Sequence, residues 1–141
     1  MIYWDSSAIA PLLVDESPRD ALLGLLRRDP AMVVWWETPV ECASAIARRE
    51  RDGSLGTTKA GQAFDRLRTI GEEWNEVLPA DAVRGTALRM LRVHPLRAAD
   101  SLQLAAAFVA AEHDPASLEF VSLDDHLVDA TSREGFRITR L

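Results

Sequence analysis

Short apolar runs that stop abruptly, each followed by a helix signal, constrain this chain more than any other feature. Ile2-Tyr3-Trp4 is stopped by Asp5-Ser6-Ser7, and Met32-Val33-Val34-Trp35 gives way to Thr38-Pro39. Leu118-Glu119-Phe120-Val121-Ser122 meets the Asp124-Asp125 pair. These runs read as short buried strands. Asp5-Ser6-Ser7 can cap a helix over Ala8–Val14, where Pro11 is tolerable only near the first turn. Ser17-Pro18 reads as an N-cap and first helical position, with Leu22, Leu25 and Leu26 as the buried stripe and Arg27-Arg28 at the far end. Thr38-Pro39-Val40-Glu41 repeats that pattern and opens a helix to about Asp52, closed by Gly53. Thr57-Thr58 opens another through Ala63, Phe64, Leu67 and Ile70, and Trp74 to Leu78 reads as a weak strand. A helix from Asp81 through Leu88 and Leu91 is broken by His94-Pro95. Asp124 opens a helix that closes with Gly135, and Phe136–Arg140 reads as a final strand. Strands that alternate with helices predict an α/β fold, a parallel sheet with helices on both faces. The 141 residues fit one domain.

The most apolar helix is headed by Leu96-Arg97-Ala98-Ala99-Asp100-Ser101-Leu102-Gln103-Leu104 and reads on to Ala111. Asp100, Leu104, Ala107 and Ala111 share one stripe, so a carboxylate heads a core-facing row. An ionised Asp at a core edge is costly unless a cation meets it. Three more acids stand at element ends: Asp5 after the first strand, Glu41 in a first helical turn, and Asp124 after a later strand. Each also has a plain structural reading. Asp5 and Asp124 suit N-caps, Asp125 competes with Asp124, and Glu41 fits the acidic slot of a capping box behind Thr38. Asp100 suits the positive end of its helix. Taken together, the four acids suggest one pocket, because open parallel sheets build sites beyond the strand ends where strand order reverses. Carboxylate-only clusters suit Mg²⁺ or Mn²⁺. Such an ion would ionise a water and neutralise phosphate oxygens. Ser6 or Ser122 could orient a ligand carboxylate, although both also suit turns.

The net charge of −6 speaks weakly against a nucleic-acid partner. Of 22 acidic residues, setting aside these four leaves 18 against 16 basic ones, a balance of −2. Fifteen of the basic residues are Arg, the better fork for phosphate, and only Lys59 is Lys. Cys42 is the single cysteine and cannot form an internal disulfide, which points to a reducing, cytoplasmic setting. One Cys with scattered His94, His113 and His126 argues against zinc, and all three histidines read as surface residues. The N-terminus lacks the form of a signal peptide, and no apolar run approaches the ~20 residues of a membrane span. Trp35 and Trp36 must face opposite ways if the strand continues, one toward the core and one toward an interface.

Four stretches, in order, resemble PIN-domain ribonucleases, specifically the toxin of VapBC-type toxin–antitoxin pairs. They are Tyr3-Trp4-Asp5-Ser6-Ser7-Ala8, Pro39-Val40-Glu41-Cys42-Ala43-Ser44-Ala45, Leu96 through Ala105, and Phe120-Val121-Ser122-Leu123-Asp124. Arg133-Glu134-Gly135-Phe136 also fits the family's close. The resemblance implies a single PIN domain over residues 1–141, with a five-stranded parallel sheet in the order 3-2-1-4-5. It implies endonucleolytic cleavage of RNA that depends on Mg²⁺ or Mn²⁺. Asp5, Glu41, Asp100 and Asp124 would be the acidic site, with Asp5, Asp100 and Asp124 as metal ligands. Ser122 stands at the family's small hydroxyl position. Gln103 departs from the pattern, since relatives often carry His there. A homodimer, a cognate VapB-type antitoxin whose tail covers the groove, and a larger hetero-oligomer with it are also implied.

Two other enzyme classes are weaker matches. A Mg²⁺-dependent phosphohydrolase of the haloacid-dehalogenase kind needs a second Asp where Ser7 stands, and a suitably placed Lys. A phospho-acceptor receiver domain needs a Lys near the fifth strand, which is absent. The non-enzymatic alternative is a PIN scaffold kept only for binding, which the presence of all four acids disfavours.

Overall fold

A computed structural model describes residues 1–141. In chain order the elements are β1 (Ile2–Trp4), α1 (Ser6–Val14), α2 (Arg19–Arg28), β2 (Met32–Trp35), α3 (Thr38–Arg51), α4 (Thr57–Gly71), β3 (Asn75–Val77), α5 (Asp81–Val93) and α6 (Ala98–Ala110). A 3₁₀ turn at Pro115–Ser117 leads to β4 (Glu119–Val121), α7 (Asp125–Arg133) and β5 (Arg137–Ile138). All strand pairs are parallel, and the sheet order is β3-β2-β1-β4-β5, as the resemblance implied. The chain walks outward from β1 to β3, then crosses to β4 on the other side of β1. Strand order therefore reverses between β1 and β4, which opens a crevice beyond their carboxyl ends.

Central β1 is wholly buried at all three positions, and its pleat divides the core. Ile2 and Trp4, with Val34, point into a layer built from α1 to α4 around Leu12, Ile46 and Leu55. Tyr3, with Val33, Trp35 and Phe120, points into a second layer built from α5, α6 and α7. There Tyr3 stacks on Phe120 at 4.9 Å between ring centroids. The stripe read from α6 holds: Leu104, Ala107 and Ala111 are buried below a partly exposed Asp100. Trp35 is core and Trp36 is exposed, the division expected for adjacent strand residues. Gly53 and Gly135 close α3 and α7 at positive φ, where a Cβ would be strained.

Several local expectations need correction. The helix after Ser17-Pro18 starts at Arg19, with Pro18 in the cap position and no side-chain cap bond. Pro11 lies in the interior of α1, because that helix starts at Ser6 rather than Ala8. Its ring is buried, so core packing offsets a missing hydrogen bond that would otherwise cost ~3 kcal/mol or more. Thr38 does not cap α3; Glu37 takes the cap position, and Thr38 lies inside the helix, fully buried. His94 is not a surface residue. It is 8% exposed, with Nε2 3.2 Å from Glu134 Oε1, because the end of α5 at His94-Pro95 packs against the end of α7. His113 and His126 are exposed, as expected.

Candidate active site

Asp5 leaves the end of β1 and caps α1, accepting from the Ser7 N–H at 3.3 Å. It is only 4% exposed. The same oxygen, Oδ2, also accepts from Ser7 Oγ at 2.5 Å and from Ser122 Oγ at 2.8 Å. Both hydroxyls are polarised in turn by backbone donors: Leu123 N–H onto Ser7 Oγ and Asp124 N–H onto Ser122 Oγ. Charge-assisted bonds of this kind are the strong ones. Asp5 Oδ1, by contrast, has only Ser6 Oγ at 3.5 Å, the outer limit of a hydrogen bond. One oxygen is thus fixed by three donors, and the other is free for a ligand. Burial pushes the Asp5 carboxyl above the usual range; the bonds from Ser7 and Ser122 oppose this, and the charge of Asp124 adds to it.

Glu41 sits one turn into α3 and faces Asp5 across Ser6. Ser6 Oγ donates to Glu41 Oε2 at 2.8 Å, and Gln103 Nε2 donates to Glu41 Oε1 at 3.0 Å. The capping-box reading of Glu41 fails, since its carboxylate reaches into the pocket and makes no bond back to the α3 cap. Burial raises its pKa to about 6, against the two donors; the charges of Asp5 and Glu37 push the same way as burial.

Asp100 heads α6 and receives no hydrogen bond from any other side chain; its carboxyl is raised by burial first, then by the charges of Asp124 and Asp5. Asp124 ends the turn after β4 and caps α7, with Oδ1 accepting from the His126 and Leu127 N–H groups at 2.9 and 3.2 Å. Its Oδ2 has no partner. Asp124 is the residue whose charge is felt at Asp5 and Asp100, while Asp125 is exposed in the first turn of α7.

The four sequence-predicted acids therefore share one electrostatic neighbourhood, and none has an ion-pair partner within 4 Å. Their oxygens are the hard donors that Mg²⁺ or Mn²⁺ prefers. No three His, Cys, Asp or Glu side chains are yet arranged to hold an ion. A groove of about 470 Å³ leads away from Ser6, Ser7 and Glu41 along α3, past Ser44 to Arg48. Of the two serines singled out from sequence, Ser122 does support Asp5, whereas Ser6 mainly supports Glu41. Ser7 was missed. Its signal was the cap itself, since an N-cap Asp draws in the N–H of the second helical residue.

Neither a protein-family model nor a curated protein matches the chain by sequence. Solved structures do match by shape. FitAcB from Neisseria gonorrhoeae aligns with a TM-score of 0.69 at 16% identity, covering 99% of this chain and 97% of that one. PAE2754 from Pyrobaculum aerophilum aligns at 0.65 and 18% identity, over 98% and 89% of the two chains. A chain of a toxin–antitoxin complex from Klebsiella pneumoniae aligns at 0.62 and 14%, over 88% and 87%. At these identities the likeness is one of fold, and it bears out the PIN-like architecture.

Proposed function

We propose that this protein is a metal-dependent endoribonuclease, the toxin of a toxin–antitoxin pair. One observation carries the reading: four carboxylates gather where strand order reverses, and none of them has an ion-pair partner within 4 Å. Such a pocket is poorly stable without an ion, and burying it is hard to explain as structure alone. Asp5, through its free Oδ1, would hold the ion together with Asp100 and Asp124. When bound, Mg²⁺ or Mn²⁺ supplies an ionised water and neutralises phosphate oxygens. Glu41, fixed by two donors, would hold or accept a proton. The groove along α3 gives a substrate strand a path lined by hydroxyls and closed by the unpaired Arg48. RNA is the substrate, and an antitoxin segment covering the groove is the inhibitor; the Klebsiella neighbour belongs to a toxin–antitoxin complex, which supports that partner. Assembly as a homodimer, and as a larger complex with the antitoxin, belongs to the same reading. No helix is long and apolar enough to cross a membrane. The phosphohydrolase reading gains nothing, because the hydroxyl of Ser7 is committed to Asp5 and Lys59 is exposed on α4. Purified protein incubated with RNA should cleave it when Mg²⁺ or Mn²⁺ is added and stop in EDTA. Cleavage that continues unchanged in EDTA, or none with either ion, would reject the proposal.

A further inference from the structure

Gln103 is a long polar side chain with no exposed surface, set in the most apolar helix of the chain. A buried amide must satisfy its N–H groups and its oxygen, or it costs stability. All are satisfied here. Nε2 donates to Glu41 Oε1 at 3.0 Å and to Thr38 Oγ1 at 3.2 Å, both on α3. Oε1 accepts from the Tyr3 hydroxyl at 2.6 Å. The direction of this chain of bonds follows from its ends. An ionised carboxylate can only accept, so the amide must turn its NH₂ toward Glu41. Tyr3 is fully buried in β1, and its hydroxyl donates to the amide oxygen. That bond supports the orientation Glu41 requires, since the flipped amide would set a carbonyl against the carboxylate.

Without exposed surface, Gln103 cannot touch a nucleic acid, so any effect it has on chemistry must pass through Glu41. Resting on the endoribonuclease reading above, we propose that Gln103, oriented by Tyr3, is a positioning residue that holds Glu41 in a single pose for RNA cleavage. Ser6 holds the other oxygen, so the carboxylate is gripped at both ends, once from α1 and once from α6. A neutral imidazole could replace the amide, because one ring nitrogen donates and the other accepts. Leucine could not, although it fills a similar volume.

Three variants of the full chain, assayed on RNA with saturating Mg²⁺, test this. Gln103→Leu should lower kcat by ~10–100-fold with KM changed less than about threefold, the scale of a misplaced catalytic group. Gln103→His should stay within about fivefold of wild type on the same scale. A second readout needs no activity. The Gln103 side-chain NH₂ should exchange slowly with solvent in the wild type, and at least ~10 times faster in Glu41→Ala, once its charged acceptor is gone. Wild-type turnover in Gln103→Leu overturns the proposal, as do equal losses in the Leu and His variants or unchanged NH₂ exchange. Should Gln103→Leu fail to fold, Tyr3→Phe replaces it, with an expected kcat loss of ~3–10-fold; full activity there is equally fatal. Full activity in Glu41→Gln would instead undo the role of Glu41 itself, and with it the endoribonuclease site. An inactive Glu41→Gln beside a fully active Gln103→Leu undoes only this inference.

Discussion

The two halves of the acidic pocket are built differently. On the α1–α3 side, Asp5 and Glu41 are gripped: three donors fix Asp5 Oδ2, and one donor fixes each Glu41 oxygen. On the α6–α7 side, Asp100 has no side-chain donor and Asp124 Oδ2 has no partner. The first half is already in place before anything binds. The second is held by backbone groups alone and has no ion pair. Preorganised polar groups do not have to reorganise when a reaction begins, so a held carboxylate suits proton handling and fixed ligation. Asp100, which no side chain holds, and the free Oδ2 of Asp124, whose Oδ1 caps α7, suit an ion that arrives from outside.

The largest expected effect ignores this difference. Asp5→Asn keeps an oxygen for Ser7 and Ser122 but gives up the free Oδ1, and Asp100→Asn gives up an open-half ligand. Each should lower RNA cleavage by at least ~100-fold at saturating Mg²⁺. Near-normal turnover in either would break the pocket apart. Stability should separate the halves. In EDTA near pH 7, Asp100→Asn should melt above wild type, since it deletes one of several mutually repelling charges. Asp5→Ala should melt below it, losing a cap worth ~0.5–2 kcal/mol and stranding two serine donors. If Asp100 serves only its helix dipole, its Asn variant should instead lose roughly 0.3–1 kcal/mol. Mg²⁺ at ~100 times its Kd should raise the wild-type melting temperature by the equivalent of about 2.7 kcal/mol, and leave Asp100→Asn nearly unmoved.

A smaller effect is expected from pH. The pKa of Glu41 is about 6 in the fold against 4.5 ordinarily, so over that interval the folded state binds more protons than the unfolded chain. Stability of the metal-free protein should therefore fall as pH rises from 4.5 to 6, with Asp5 and Asp100 contributing in the same direction. Melts in EDTA across that range should be visibly flatter for Glu41→Gln. A wild-type curve that rises through the interval would mean Glu41 is stabilised as an anion, contrary to its burial. Asp125→Asn should do least, leaving cleavage within about twofold, because an exposed surface charge is worth little. A large loss there would move the site one residue along.

The short strands and the acids at their ends were readable because both are local facts, while the order of the sheet came only from the family resemblance. Strand length, caps and the residue at an element's end are written in adjacent positions. What could not be read is how side chains meet across the fold. Tyr3 reaches Gln103 over 100 positions, and Gln103 reaches Thr38 over 65. That second contact also defeated the capping-box reading. Thr38 had a sound local role at the start of α3, but it is fully buried, and its oxygen serves Gln103 from α6. His94 failed in the same way, because its neighbour Glu134 lies at the end of a helix 40 residues on.

The serine pair under Asp5 ties the turn after β1 to the turn after β4, so the order in which the strands pair matters. Asp5 follows β1, yet its support from Ser122 comes from 117 positions further along the chain, where Leu123 and Asp124 also hold the two serine hydroxyls. Contacts of such sequence separation close late, because the intervening chain must first be gathered. Until β4 slots in beside β1, Asp5 is an exposed carboxylate with no second strand and no Asp124 beside it. A chain in which β4 has not yet paired with β1 thus lacks the assembled acidic pocket.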